Sequence, residues 1–195
     1  MPQDPSRGWN AIATDFMAAR RDVGVDIVRD WAGRLPPGGA VLDLGCGDGW
    51  PVGTALIEAG LKLYGIDASP VLVEAFRRCH PGVPVACEPV ETSALFDRTF
   101  DGAVAIGLIF LLPEADQRAL IARVARALNP GGRFLFTAPA EPCAWTDSLT
   151  GQPSRSLGEA AYRRLLEVAG LDPVGRHCDA GENHYLEAVR PGPPG

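Results

Sequence analysis

The sequence predicts a doubly wound α/β fold with a mostly parallel, seven-stranded sheet and one antiparallel strand near an edge. Three observations carry that prediction. Strand-like apolar runs alternate with helix-like amphipathic runs almost throughout, which implies parallel strands joined by right-handed crossovers. The first strand, Ala40 to Leu44, leads directly into three alternating glycines, Gly45, Gly47 and Gly49. The chain then closes on two strand-like segments joined by a short turn, which supplies the antiparallel strand.

Taken in order, helical patterns cover about Trp9 to Arg20 and Val23 to Arg34, and Leu35-Pro36-Pro37-Gly38-Gly39 breaks the second. Strands fall near 40–44, 62–66, 83–87, 101–106 and 132–138, with helices near 52–60, 70–79 and 114–128 between them. Ser69 and Pro70 are suited to cap and open the helix near 70–79. Asn129-Pro130-Gly131-Gly132 reads as a turn before the fifth strand. A last helix over 158–169 ends at Gly170, and strands at 171–177 and 184–189 flank the hairpin turn Gly181-Glu182-Asn183. Residues 1–190 are expected to form a single domain, and 191–195, Pro-Gly-Pro-Pro-Gly, a disordered tail.

Composition narrows the function classes. At 195 residues and 46% hydrophobic content the chain can bury a full core without disulfides. Twenty-four acids against eighteen bases leave a net charge of −6, with no run of Lys or Arg. Binding to a phosphate backbone depends on clustered cations, so nucleic acid is not an expected partner. No apolar stretch at the N-terminus resembles a signal peptide, and none is long enough to cross a bilayer, so no membrane partner is expected. Cys46, Cys79, Cys87, Cys143 and Cys178 are odd in number and lack a C-x-x-C pair. That pattern suits reduced thiols in a cytoplasmic protein. Arg176-His177-Cys178-Asp179 offers no companion ligand pair and reads as a strand end, so no metal site is expected.

The chemistry concentrates at the glycine turn. A ligand that touches bare backbone needs glycine, because a Cβ would block its approach, and the following helix aims unpaired N–H groups at it. A dinucleotide fingerprint reads G-x-G-x-x-G, whereas here the third glycine comes one residue early and Trp50 holds the sixth position. The acids Asp43 and Asp48 flank the turn, which disfavours a pyrophosphate and suits a cationic ligand. Asp67 ends the second strand, 20 residues beyond Gly47. A carboxylate there is placed to accept hydrogen bonds from ribose hydroxyls.

Val41-Leu42-Asp43-Leu44-Gly45-Cys46-Gly47-Asp48-Gly49 resembles motif I of the class I S-adenosylmethionine-dependent methyltransferases, and Tyr64-Gly65-Ile66-Asp67-Ala68-Ser69 resembles motif II. The likeness runs in order from about Trp9 to Val189 and implies a Rossmann-like methyltransferase fold with S-adenosyl-L-methionine as cofactor. It implies cofactor contacts at Asp43, Gly45, Cys46, Gly47 and Gly49, and at Asp67 and Ala68. The adenine is then expected at the Val90 backbone and the Glu91 carboxylate, with Glu88 as the alternative. The same resemblance implies that Ile106 and Gly107 pass the methionine moiety and that Trp9 and Arg20 belong to an N-terminal segment expected to lid the cofactor.

The family's base-modifying members carry an Asn/Asp-Pro-Pro-aromatic motif after strand four, where this chain reads Ile106-Gly107-Leu108-Ile109-Phe110-Leu111. A small-molecule acceptor is therefore expected. Its pocket is sought at the carboxyl edge of the sheet, from Phe110, Trp145 in the long loop after strand five, and Asn183 and Tyr185 at the closing hairpin. His184 is the candidate general base. The function expected is in-line transfer of a methyl group by a monomer or homodimer. The alternatives are a cofactor-binding but non-methylating member of the same fold, a regulatory subunit or a cyclase, and a nicotinamide-dependent oxidoreductase.

Overall fold

The computed structural model describes residues 4–192; of the tail expected to be disordered, 193–195 lie outside the described residues. Helices α1 (Trp9–Ala19) and α2 (Val25–Ala32) precede the sheet. Then follow β1 (Ala40–Leu44), α3 (Val52–Glu58), β2 (Lys62–Asp67), α4 (Pro70–Cys79), β3 (Val85–Cys87) and β4 (Phe100–Ala105). The second half runs α5 (Glu114–Ala127), β5 (Leu128–Thr137), β6 (Cys143–Thr146), β7 (Pro153–Ser156), α6 (Glu159–Val168), β8 (Asp172–Cys178) and β9 (His184–Val189).

Seven strands form one sheet in the order β3-β2-β1-β4-β5-β9-β8. Pairs from β3 to β5 are parallel, and β9 is antiparallel to both β5 and β8. The order reverses direction at β1, so β1 and β4 flank a switch point, where open α/β sheets bind ligands beyond their strand ends. All five residues of β1 are buried, as a central strand covered on both faces requires.

Strand periodicity divides the core between the two faces. Leu42, Leu44, Phe134 and Phe136 pack with Leu120, Val124 of α5 and Leu166 of α6. Val41 and Leu135 point the other way, toward Trp31 of α2, Leu56 of α3 and Phe76 of α4. Two polar groups are buried with their partners. Tyr162 Oη donates to Gln117 Oε1 at 2.7 Å, and Gln117 Nε2 donates to the Leu112 and Arg155 carbonyls at 2.8 and 2.9 Å. Glu187, 1% exposed, takes Arg34 at 2.7 Å and Arg133 at 2.6 Å.

Several elements differ from the sequence expectation. The second helix begins at Val25, because Gly24 sits at φ 80° and starts it late. Strand β5 begins at Leu128, and the turn expected at 129–132 is an excursion within it, between the pairs Phe100–Leu128 and Gly102–Arg133. The stretch after β5 is not all loop, since β6 and β7 pair as a separate two-stranded hairpin. Leu95–Asp97 forms a short left-handed turn, with φ of 50°, 59° and 49°. Ile109–Leu111 is a single 3-10 turn.

Candidate active site

Strand β1 delivers the chain to the turn at Gly45, and β2 ends beside it at Asp67. The Gly45 and Cys46 amides both donate to the Ile66 carbonyl, at 2.8 and 3.0 Å. The Gly47 amide donates to Asp67 Oδ2 at 2.9 Å. Gly47 has φ 58°, so the backbone conformation calls for glycine, and a Cβ there, 2.7 Å from Arg20 Nη1, would push that guanidinium aside. Asp67 Oδ1 accepts the Ser69 amide at 2.8 Å, which fixes the carboxylate at the mouth of helix α4. Ser69 caps that helix by accepting the Leu72 amide at 3.3 Å.

A cleft of about 360 Å³ opens over this turn. Its floor is Gly45, Gly47, Asp67 and Ala68. Val90 and Glu91 form one wall, and Ile106, Gly107 and Leu108 another. The Gly107 amide donates to Thr137 Oγ1 at 2.7 Å, which ties the exit of β4 to the end of β5. Over the top lie Trp9, Phe16, Arg20 and Arg21, from α1 and the segment after it. This lid is fastened at three places. Arg7 pairs with Glu91 at 2.8 Å, and Arg20 with Asp48 at 3.0 Å. Asn10 Oδ1 accepts from Ser69 Oγ at 2.9 Å and from the Val71 amide at 3.1 Å.

The charge below the turn is unusual. Asp43 is 2% exposed and its Oδ2 has no hydrogen-bond partner. Burial pushes its carboxyl up to about 7; Arg20 opposes the shift and Asp67 adds to it. Burial also raises Asp67, against the bonds from the Ser69 and Gly47 amides. Asp48 faces the Arg20 guanidinium at 3.0 Å rather than the open cleft.

The residues expected in the site divide into two groups. Trp9, Arg20, Gly45, Gly47, Asp67, Ala68, Val90, Glu91, Ile106, Gly107 and Phe110 all line the cleft. Asp43, Cys46 and Gly49 stand behind the turn instead: Cys46 is buried against Gly65, and Gly49 faces His80 and Phe76. Trp145 backs the cleft indirectly, with its ring 5.5 Å from that of Phe110.

The closing hairpin does not reach the cleft. Tyr185 is buried under α2, where its Oη donates to Asp179 Oδ2 at 2.9 Å and lies against Gly24. Asn183 Nδ2 donates to both Asp179 oxygens. His184 is exposed and borders a different hollow, with Pro139, Glu159 and His177. The register explains this. Tyr185 pairs with Thr137, so β9 does begin at the expected edge, but its side chains point to the two faces of the sheet. Sequence reasoning missed Arg7, Arg21, Val23 and Leu72 as lining residues. The one available signal was Asp4-Pro5-Ser6, a turn in which Asp4 accepts the Ser6 and Gly8 amides and so aims Arg7 at Glu91.

A switch-point cleft, a glycine turn over a buried acid and a carboxylate ending the second strand define a cofactor-binding α/β enzyme. Residues 41–132 match the family described as "Methyltransferase domain". Over that segment the chain is similar to the class I S-adenosylmethionine-dependent methyltransferases. Over 196 residues it is 26% identical to a ubiquinone biosynthesis O-methyltransferase of Xanthomonas oryzae pv. oryzae, covering 97% of this chain and 67% of that one. In fold it resembles magnesium protoporphyrin IX methyltransferase from Synechocystis PCC 6803, solved with bound SAM. That pair is 20% identical with a TM-score of 0.75 over 97% and 98% of the two chains. It also resembles the 1,6-didemethyltoxoflavin-N1-methyltransferase of Burkholderia thailandensis, at 20% identity and a TM-score of 0.67 over 98% and 92%.

Proposed function

We propose that this chain transfers a methyl group from S-adenosylmethionine to a small molecule in the cleft described above. The observation that carries the reading is the alignment of three features along one cleft: the bare backbone at Gly47, the Asp67 carboxylate, and the unpartnered Asp43 Oδ2 below. A cationic nucleoside ligand fits each of them. When bound, the cofactor supplies a methyl group already activated on a sulfonium.

The chain's own residues bind, align and exclude water. Asp67 keeps a free lone pair on each oxygen for the ribose hydroxyls. Ala68, Leu72, Val90 and Glu91 hold the adenine, and Arg20 and the Gly45–Gly47 backbone take the methionine end. Trp9 and Phe16 close over the top, and removing water strengthens each polar contact beneath them. Phe110, backed by Trp145, faces the acceptor. Alignment is the main catalytic contribution for an activated donor, and His184 has no part in it. Residues 1–190 act as one domain in this reading, in the cytoplasm, as a monomer or homodimer and without nucleic acid. No helix among the described residues is long and apolar enough to cross a membrane.

The test is calorimetry with S-adenosylhomocysteine. A hydrogen bond to a charged group contributes about 1.5–3 kcal/mol, so Asp67→Ala should weaken binding roughly 10- to 150-fold. Parental affinity in a variant with an unchanged circular dichroism spectrum would overturn the reading.

A further inference from the structure

We propose that the acceptor is an apolar carboxylic acid, held by Arg21 and methylated on its carboxylate oxygen. The inference rests on the methyltransferase reading above and names the acceptor class for the same cleft.

The first observation is the lack of a free base. Among the described residues lining the cleft there is no His, Lys, Cys or Tyr. Its three carboxylates are already engaged. Asp67 takes the Gly47 and Ser69 amides, and Glu91 takes Arg7. Asp147 Oδ1 accepts the Leu149 and Thr150 amides and Thr150 Oγ1, at 3.1, 2.8 and 2.7 Å, and so closes its own turn. A phenol or an ammonium ion, with a pKa near 10, must give up a proton before or during attack, whereas a carboxylic acid near 4 is already an anion at neutral pH. A cleft without a free base suits the second kind.

The second observation is a spare cation. Arg20 pairs with Asp48 and is assigned above to the methionine end of the cofactor. Arg21 lines the same cleft, is exposed, and has no carboxylate within 4.0 Å among the described residues. A planar guanidinium is built to bind a carboxylate through two parallel bonds. It can hold one oxygen of the acceptor while the other faces the methyl group. The third observation is the surface around it. Phe16, Val23, Pro51, Leu108 and Phe110 line the cleft, and Val23 remains 45% exposed with Trp50, next to Pro51, 39% exposed. Solvent-facing apolar groups beside a lone cation match a molecule with an apolar body and one acidic end.

The reaction balances without a proton. The carboxylate oxygen supplies the electron pair of the new O–CH₃ bond, the C–S bond breaks, and its pair stays on sulfur. Carboxylate and sulfonium become a neutral methyl ester and a neutral thioether.

The test incubates the full chain with methyl-labelled S-adenosylmethionine and the small-molecule fraction of the source cells, then treats the products with mild alkali. Methyl esters release the label as volatile methanol; methyl groups on nitrogen, sulfur, carbon or an aryl oxygen do not. We expect most label to become volatile. Arg21→Gln should raise the acceptor KM at least about tenfold, leave S-adenosylhomocysteine affinity by calorimetry within about twofold, and be partly rescued in Arg21→Lys. Alkali-stable label overturns the proposal alone. So does a loss of S-adenosylhomocysteine affinity in Arg21→Gln, which would make Arg21 a cofactor ligand. No label transfer from a protein that binds S-adenosylhomocysteine overturns it together with the small-molecule reading.

Discussion

Asp43 is a carboxylate that the fold holds at a cost, and that cost can be measured. Its pKa is about 7 in the folded chain against 3.8 in an open one. Below pH 4 both states carry the proton and nothing is lost. Between pH 4 and 7 the unfolded chain releases it while the folded chain retains it, so stability falls as pH rises and levels off above 7. A gap of roughly three pH units at 1.36 kcal/mol each amounts to about 4 kcal/mol at pH 8. Asp43→Asn removes the ionisation and keeps the shape. A buried amide and a buried neutral carboxyl are similar to desolvate, so variant and parent should match near pH 4 and diverge above it. For a chain of this size about 4 kcal/mol corresponds to a Tm roughly 8–16 °C higher at pH 8. Thermal melts from pH 4 to 8.5 followed by circular dichroism would read this directly. The variant should also bind S-adenosylmethionine more weakly, because the buried anion favours a cation above it. A Tm difference that does not change with pH would refute the argument, since it would mean that Asp43 carries no ionisation penalty.

Two further substitutions test other parts of the structure. Gly47→Val puts a branched side chain at φ 58° with its Cβ 2.7 Å from Arg20 Nη1. Cofactor affinity should fall at least about 100-fold while the far-UV spectrum is retained, and calorimetry showing parental affinity would count against the turn as the binding surface. Gln117→Leu strands the buried Leu112 carbonyl and removes the acceptor of the Tyr162 hydroxyl, which still takes the Leu157 amide. At about 1–3 kcal/mol for each buried group left unpaired, urea denaturation should show a loss of about 2–4 kcal/mol; under 1 kcal/mol would mean that these groups find other partners.

The parts of the site that were legible in the sequence are local ones. Gly45, Gly47 and Asp67 sit at the ends of adjacent parallel strands, and their roles follow from where a strand stops. Phe110 and Gly107 follow from the end of β4 in the same way. The closing hairpin was legible as an element but not as a surface. Whether His184 or Tyr185 meets the cleft depends on which face each side chain takes, and that is set by the register of β9 against a strand about fifty residues earlier. Cys143–Thr146 was hard to read as a strand because its residues are mostly exposed and lack apolar alternation. The left-handed run Leu95–Asp97 has no glycine to announce it, so tertiary packing of Leu95 overrides local preference there.

Asn10 gives the fold an unexpected economy. It belongs to the helix above the cleft, yet its amide oxygen holds Ser69, and the Ser69 amide holds the acid expected to grip the ribose. Cover and grip are thus consecutive members of one hydrogen-bonded chain. Linkage between two such events is reciprocal: whatever seats the helix more firmly strengthens the grip by the same factor that an occupied grip seats the helix. Nucleoside affinity can therefore drift under selection through residues on the outside of α1, at positions no ligand touches, while every residue of the glycine turn stays as it is.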